Sequence, residues 1–124
     1  MERGKITINE MGVKITPANG NVWLPAWEIA RLFEVFVTKV SSNIKSRLKS
    51  GVLREREVCC CHYYTNGGSV DLYNLDMIIA LAYRINSHNS ERFRSWLMKK
   101  AVEPKKKLSP VMAVLCDERK ISLN

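Results

Sequence analysis

AWEIARLFEVFVTKVSSNIKSRLKSG, residues 26–51, is the stretch whose reading decides the fold. Its first part, Ala26 to Phe33, places Trp27, Ile29, Ala30, Leu32 and Phe33 as apolar positions and leaves Glu28 and Arg31 to solvent. Its second part, from about Val37 to Lys49, repeats apolar residues at Val37, Val40, Ile44 and Leu48, the spacing of one buried helical stripe. At about 100° per residue the opposite face carries Thr38, Ser42, Ser46 and Lys49, flanked by Lys39 and Lys45. Glu34, Val35 and Phe36 form the connection, and Gly51 is placed to cap the second helix. Two helices joined by so short a turn, the second basic outside and apolar inside, predict a helix-turn-helix over 26–50.

The motif can be checked by position. Ala30 is the small residue that lets the helices approach, Val35 is the apolar residue of the turn, and Val40 and Ile44 fill the inner positions of the second helix. Glu34 stands where glycine is usual, and Phe36 stands where a small polar cap is usual. The inner stripe alone fits any αα-hairpin. Charge adds to it. Residues 1–36 are net zero, residues 37–58 net +4, residues 59–103 net +1 and residues 104–124 net +3, of a total of +8. Half of the excess therefore falls on the second helix and its sequel, the footprint of a polyanionic partner.

Working outward, KITI (Lys5–Ile8), VKIT (Val13–Thr16) and NVWL (Asn21–Leu24) are short β-branched or apolar runs, the last two separated by the turn cluster PANG. A small N-terminal β-meander is expected. After the second helix, Val58–Tyr64 and Ser69–Tyr73 flank Thr65-Asn66-Gly67-Gly68, a hairpin where a wing would sit. Its tip carries no Lys or Arg, so charge does not support a phosphate-gripping role. Asn74 caps a helix with the stripe Leu75, Ile78, Ile79 and Ala82, ending near Asn86. After the polar break Ser87-His88-Asn89, Ser90 caps another with the stripe Phe93, Trp96, Leu97 and Ala101, which Pro104 stops. Residues 104–124 read as a basic linker followed by a short helix from Val111 to about Glu118. The fold class expected is α+β and winged-helix-like, with residues 1–103 as one domain.

Composition bounds the function. With 46% hydrophobic and 26% charged residues, the chain has the balance of a folded globular protein rather than a disordered one. No apolar run reaches the roughly 18 residues of a membrane span, and MERGKITINE lacks a signal-peptide core, so a cytoplasmic location and no membrane partner are expected. Cys59, Cys60 and Cys61 adjoin His62, but on a strand Cys60 and His62 face one side and Cys59 and Cys61 the other. Four adjacent residues cannot close a tetrahedron, so no metal is expected. A Cys with His62 or His88 as base is conceivable, yet nothing resembles an oxyanion hole or nucleophile elbow. No enzyme and no cofactor are expected. Trp23, Trp27 and Trp96 are expected in the core, and Tyr63 and Tyr64 face opposite sides of the hairpin, leaving at most one free for a partner.

YNLDMIIALAYRINS (Tyr73–Ser87), the Phe93-Arg94-x-Trp96 step and NVWLPAWEIARLFEV (Asn21–Val35) resemble the RhuM family of virulence- and prophage-associated proteins, over roughly residues 20 to 103. The resemblance implies association with mobile elements and DNA binding, and carries no catalytic residues. The tail after Pro104 does not match it. The Tyr73–Ser87 helix reads as a brace for the hairpin, with Tyr83, Arg84 and Asn86 as a possible partner or dimer surface.

The function expected is non-catalytic binding of double-stranded DNA by a regulator. Thr38, Lys39, Ser41, Ser42, Lys45 and Lys49 are the expected contacts, with readout at Thr38, Lys39 and Ser42 near the helix N-terminus. Arg47, Arg54 and Arg56 are expected to grip the phosphate backbone. The competing class is a protein-interaction module without nucleic-acid binding. A homodimer is expected because one short recognition helix rarely supplies enough affinity.

Overall fold

The computed structural model describes residues 3–102. The basic linker and short helix expected over 104–124 lie outside these residues. Within them the chain is α+β, with five helices and two small antiparallel sheets.

The N-terminal alternation produces β1 (Lys5–Asn9) and β2 (Gly12–Thr16), paired in register from Lys5↔Thr16 to Asn9↔Gly12. Ile6, Ile8, Val13 and Ile15 pack on the core, and the residues between them face water. The expected third strand of a meander does not join this pair. NVWL instead yields β3 (Leu24–Pro25), which pairs with a strand nearly fifty residues further on, Leu24↔Tyr73 and Pro25↔Leu72. In PANG, Asn19 and Gly20 adopt positive φ (52° and 80°) and make a tight reversal closed by the Ala18–Asn21 bridge, but the pairing goes no further, and Trp23 N–H reaches Arg3 O (2.8 Å) instead.

Two helices follow, α1 (Ala26–Phe33) and α2 (Val37–Ser50), with the bounds that the apolar spacing predicts. A four-residue helix, α3 (Glu55–Val58), comes next and was not anticipated. The hairpin is β4 (Cys59–Tyr63) with β5 (Ser69–Tyr73), in register from Cys59↔Tyr73 to Tyr63↔Ser69. Gly67 takes φ 93° at its tip. The second sheet has the order β3-β5-β4, so the strand before α1 is closed onto the strand furthest from it in sequence.

The centre of the molecule is α4 (Leu75–Ala82), packed by α2, α3 and α5. Met77 to Ala82 are all buried, so this helix is apolar all round rather than along the single stripe read from sequence. It ends at Ala82, earlier than Asn86, because a turn carries the buried Ile85 inward. The last helix, α5 (His88–Ala101), starts before the expected cap. Ser87 is the N-cap and Ser90 the N3 residue of a reciprocal capping box: Ser90 N–H donates to Ser87 Oγ (3.1 Å) and Ser87 N–H to Ser90 Oγ (2.8 Å). His88 is thus the first residue of a helix and not part of a break.

Side-chain amides, buried at Asn74 and Asn89 and half-buried at Asn21, tie the elements together. Asn74 Oδ1 accepts from Met77 N–H (3.2 Å), capping α4, while its Nδ2 donates to Glu57 O (3.1 Å). Asn21 Oδ1 accepts from Leu75 N–H (3.0 Å), and Asn89 Nδ2 donates to Leu32 O (2.9 Å) at the end of α1. Arg94 Nη1 donates to Ala82 O (2.7 Å) and Ile85 O (3.0 Å), closing the C-terminus of α4. The Tyr73–Ser87 segment thus carries the buried α4, joined at its start to Glu57 and Val58 through Asn74.

Candidate nucleic-acid interface

The turn between α1 and α2 keeps its geometry without glycine. Glu34 sits in the left-handed region (φ 57°, ψ 48°). Its N–H donates to Arg31 O (3.2 Å) and Val35 N–H donates to Ala30 O (3.0 Å), the paired bonds of a Schellman close. A side chain in that conformation costs about 1 kcal/mol relative to Gly. Phe36 is extended (φ −68°, ψ 145°) and starts α2 with no side-chain cap. Lys39 and Val40 N–H both reach Phe36 O, and among the described residues the N–H groups of Val37 and Thr38 have no cap at the positive end of the helix dipole.

α2 buries Val40 and Ile44 against α1 and α4. Thr38, Lys39, Ser42, Lys45, Ser46 and Lys49 are all exposed. At about 100° per residue they occupy one outward arc, with Thr38, Ser42, Lys45 and Lys49 at its middle. The helix contains no acidic residue, and among the described residues no ion pair engages Lys39, Lys45 or Lys49. Ser42 Oγ donates to Lys39 O (3.2 Å), which leaves its lone pairs outward as acceptors.

The other expected contacts divide. Ser41 is half-buried at the border of the arc. Arg47 is half-buried on the packed side of α2, beside the Val40–Ile44 stripe, so it does not share the exposed arc. Arg54 is exposed just before α3. Arg56 is exposed too, but between Glu55 and Glu57 and in a recess shared with Cys59, Cys61 and Asp71, where local charges offset one another.

Three sequence expectations fail here. Trp27 is 51% exposed rather than in the core; it lies one helical turn from Arg31, whose guanidinium sits 5.7 Å from the ring centroid. Tyr63 and Tyr64 are both exposed, because the hairpin covers neither face at its tip; Tyr64 instead meets His62 edge-on (5.4 Å). Val37, expected as the first residue of the buried α2 stripe, is exposed because it lies in the first turn ahead of the α1 and α4 contacts, and with Phe36 (85% exposed) it adds apolar surface at the start of α2. Sequence gave one signal for this, since Trp27, Arg31 and Glu34 recur at helical spacing on the outer face of α1.

The cysteine strand has its own chemistry. Burial, then Asp71 and Glu55, push the Cys59 thiol up to about 11. Burial, then Cys59, push the Tyr73 hydroxyl up to about 12. A thiol that stays protonated at neutral pH is the opposite of an activated nucleophile. Among the described residues no three His, Cys, Asp or Glu side chains converge to hold a metal ion, and no helix is long and apolar enough to cross a membrane. Comparison with family models, with curated proteins and with solved structures finds no match to this chain.

Proposed function

We propose that the chain binds duplex DNA without catalysis, through α2 as the recognition helix of a winged helix-turn-helix. The observation that carries this reading is the outward arc of Thr38, Ser42, Lys45 and Lys49 with Lys39, on a helix without acids whose lysines enter no ion pair among the described residues. At 1.5 Å per residue the 14 residues of α2 extend about 21 Å, and a helix matches a major groove about 12 Å wide. Lysines on the arc meet phosphates, and Thr38 and Ser42 offer hydroxyls to base edges. The chain order β3-α1-α2-α3-β4-β5, with β3 closing onto β5, supports a winged arrangement in which the hairpin flanks the groove. The resemblance of Tyr73–Ser87 to the RhuM family suggests a regulator carried by a prophage or mobile element. A cytoplasmic location is part of the same proposal.

A salt titration on random duplex DNA tests it. With about four phosphate contacts, the logarithm of the association constant falls with the logarithm of salt at a slope near −3.6. Lys39→Glu with Lys45→Glu is expected to abolish binding at physiological salt without moving the thermal midpoint. No binding by the wild type at low salt, or unchanged binding by the double variant, overturns the reading. The exposed Trp27, Phe36 and Val37 favour a second reading, a protein-interaction module, in which Phe36→Ser impairs partner capture and the lysine variants do not.

A further inference from the structure

The three-stranded sheet has two edges. One is β3, only two residues long, and the other is β4. Tyr64 N–H donates to Gly68 O (2.7 Å) and Asn74 N–H to Val58 O (2.9 Å). These bonds fix the alternation along the strand: Cys60 and His62 bond toward β5, while Cys59, Cys61 and Tyr63 turn their backbone groups away from it. Cys59 N–H is taken by Glu55 O. The N–H groups of Cys61 and Tyr63 and the carbonyls of Cys59, Cys61 and Tyr63 have no partner among the described residues.

Such a row of open groups is a template for another strand, and proteins usually blunt it with Lys, Pro, a bulge or a covering element. CCCHY has no Lys and no Pro, and it runs in unbroken register with β5. It is also an uncharged strip on a chain of net charge +8. The charges bordering it, Glu55, Arg56 and Asp71, are of both signs, so a second copy can approach in a two-fold pair without the excess of like charge it would meet elsewhere on a basic chain, whereas a strongly charged peptide of either sign meets a like charge there.

We infer that β4 is a self-pairing edge, joining a second copy of this chain in an antiparallel, two-fold strand pair centred on Cys61. Centring on Cys61 places Cys60 opposite His62 of the other copy, a small side chain against a ring. Centring on His62 instead would set two imidazoles face to face at the closest Cα spacing. With the axis at Cys61, Tyr63 N–H reaches the Cys59 carbonyl of the other copy, and the occupied Cys59 N–H falls at the end of the ladder. The two Cys61 thiols then stand on the same face, with Cα atoms about 5.5 Å apart, within disulfide span. This inference is independent of DNA binding.

Sedimentation equilibrium of the full chain under reducing conditions is expected to give a concentration-dependent dimer. Cys61→Pro removes one outward N–H per copy while leaving the bonds to β5 intact, a place where an edge strand tolerates proline. It is expected to raise the dimer dissociation constant about thirty-fold with the circular dichroism unchanged. Should that variant not fold, Cys61→Lys places a charge on the axis and is expected to act in the same direction. A chain whose only cysteine is Cys61 is expected to cross-link into dimers with diamide, which takes up the two protons and two electrons released as the S–S bond forms. A monomer at all concentrations overturns the inference. So does a dimer whose dissociation constant neither variant moves, or a dimer in which Cys61 does not cross-link.

Discussion

The helices α2 and α4 lie against each other yet are built on opposite terms. α4 is held at both ends, by the Asn74 cap and by Arg94 on its last carbonyl, and Met77 to Ala82 are buried. α2 starts at an exposed phenylalanine with no cap and buries only Val40 and Ile44, turning its lysines and hydroxyls to water. Burial and capping are invested where the chain needs a fixed support. The element left outward is the one whose surface chemistry suits a partner. Stability and candidate function are thus separated between neighbouring helices, and substitutions can test how clean the separation is.

The largest effect is expected in the support. Phe93 is fully buried and its ring stands 5.9 Å from Phe33 and 6.0 Å from Trp96. Phe93→Ala should lower unfolding free energy in urea by about 3–5 kcal/mol. Asn74→Ala removes a helix cap and leaves Glu57 O without its donor. A loss of about 1–3 kcal/mol is expected by the same measurement. On the α2 side, Lys45→Ala should leave urea unfolding within about 0.5 kcal/mol of the wild type. Its effect should appear in DNA binding, as a uniform weakening across sequences and a salt slope shallower by about one. If Lys45→Ala destabilises the fold as much as Asn74→Ala, the division between the two helices is lost.

Smaller changes sharpen the contrast. Glu34→Gly relieves the left-handed strain in the turn before α2 and should raise the thermal midpoint, by about 1 kcal/mol in free energy. The smallest effect is expected in alkali. The Cys59 thiol is raised from 9.0 to about 11, so the folded state holds its proton more tightly than the unfolded state. Stability from this source is complete below pH 9 and is lost as pH rises toward 11. Cys59→Ser should flatten that decline in a pH series of thermal midpoints.

Much of this architecture can be read from the residues. The bounds of α1, the stripe of α2 and the β4–β5 hairpin follow from local periodicity and from Asn-Gly turn chemistry. What escapes is non-local. Nothing near Leu24 announces that its partner is Tyr73, and a four-residue helix such as α3 has too few turns to show a period. The start of α5 hinges on whether Ser87 or Ser90 is the cap, and both serve, as reciprocal members of one box. In the candidate interface, the exposed lysines follow from the helical wheel. The same wheel puts Arg47 beside Val40 and Ile44, and counting charges without angles hides that. Among the described residues Trp27 and Phe36 stay outside, because none of these packs over the outer face of α1 or the turn.

The pairing of Leu24 with Tyr73 also sets an order of events. It clasps the ends of a loop that contains α1, α2 and α3, so the lysine face gains its final support only after Tyr73 has been synthesised and docked. Closing so long a loop is paid in chain entropy before any strand bond is gained, which makes this clasp a late, cooperative step. On the ribosome, the helix proposed to meet DNA is complete in sequence well before it is complete in structure, and a nascent chain carries it with α1 alone for support until α4 has docked and the second sheet has closed.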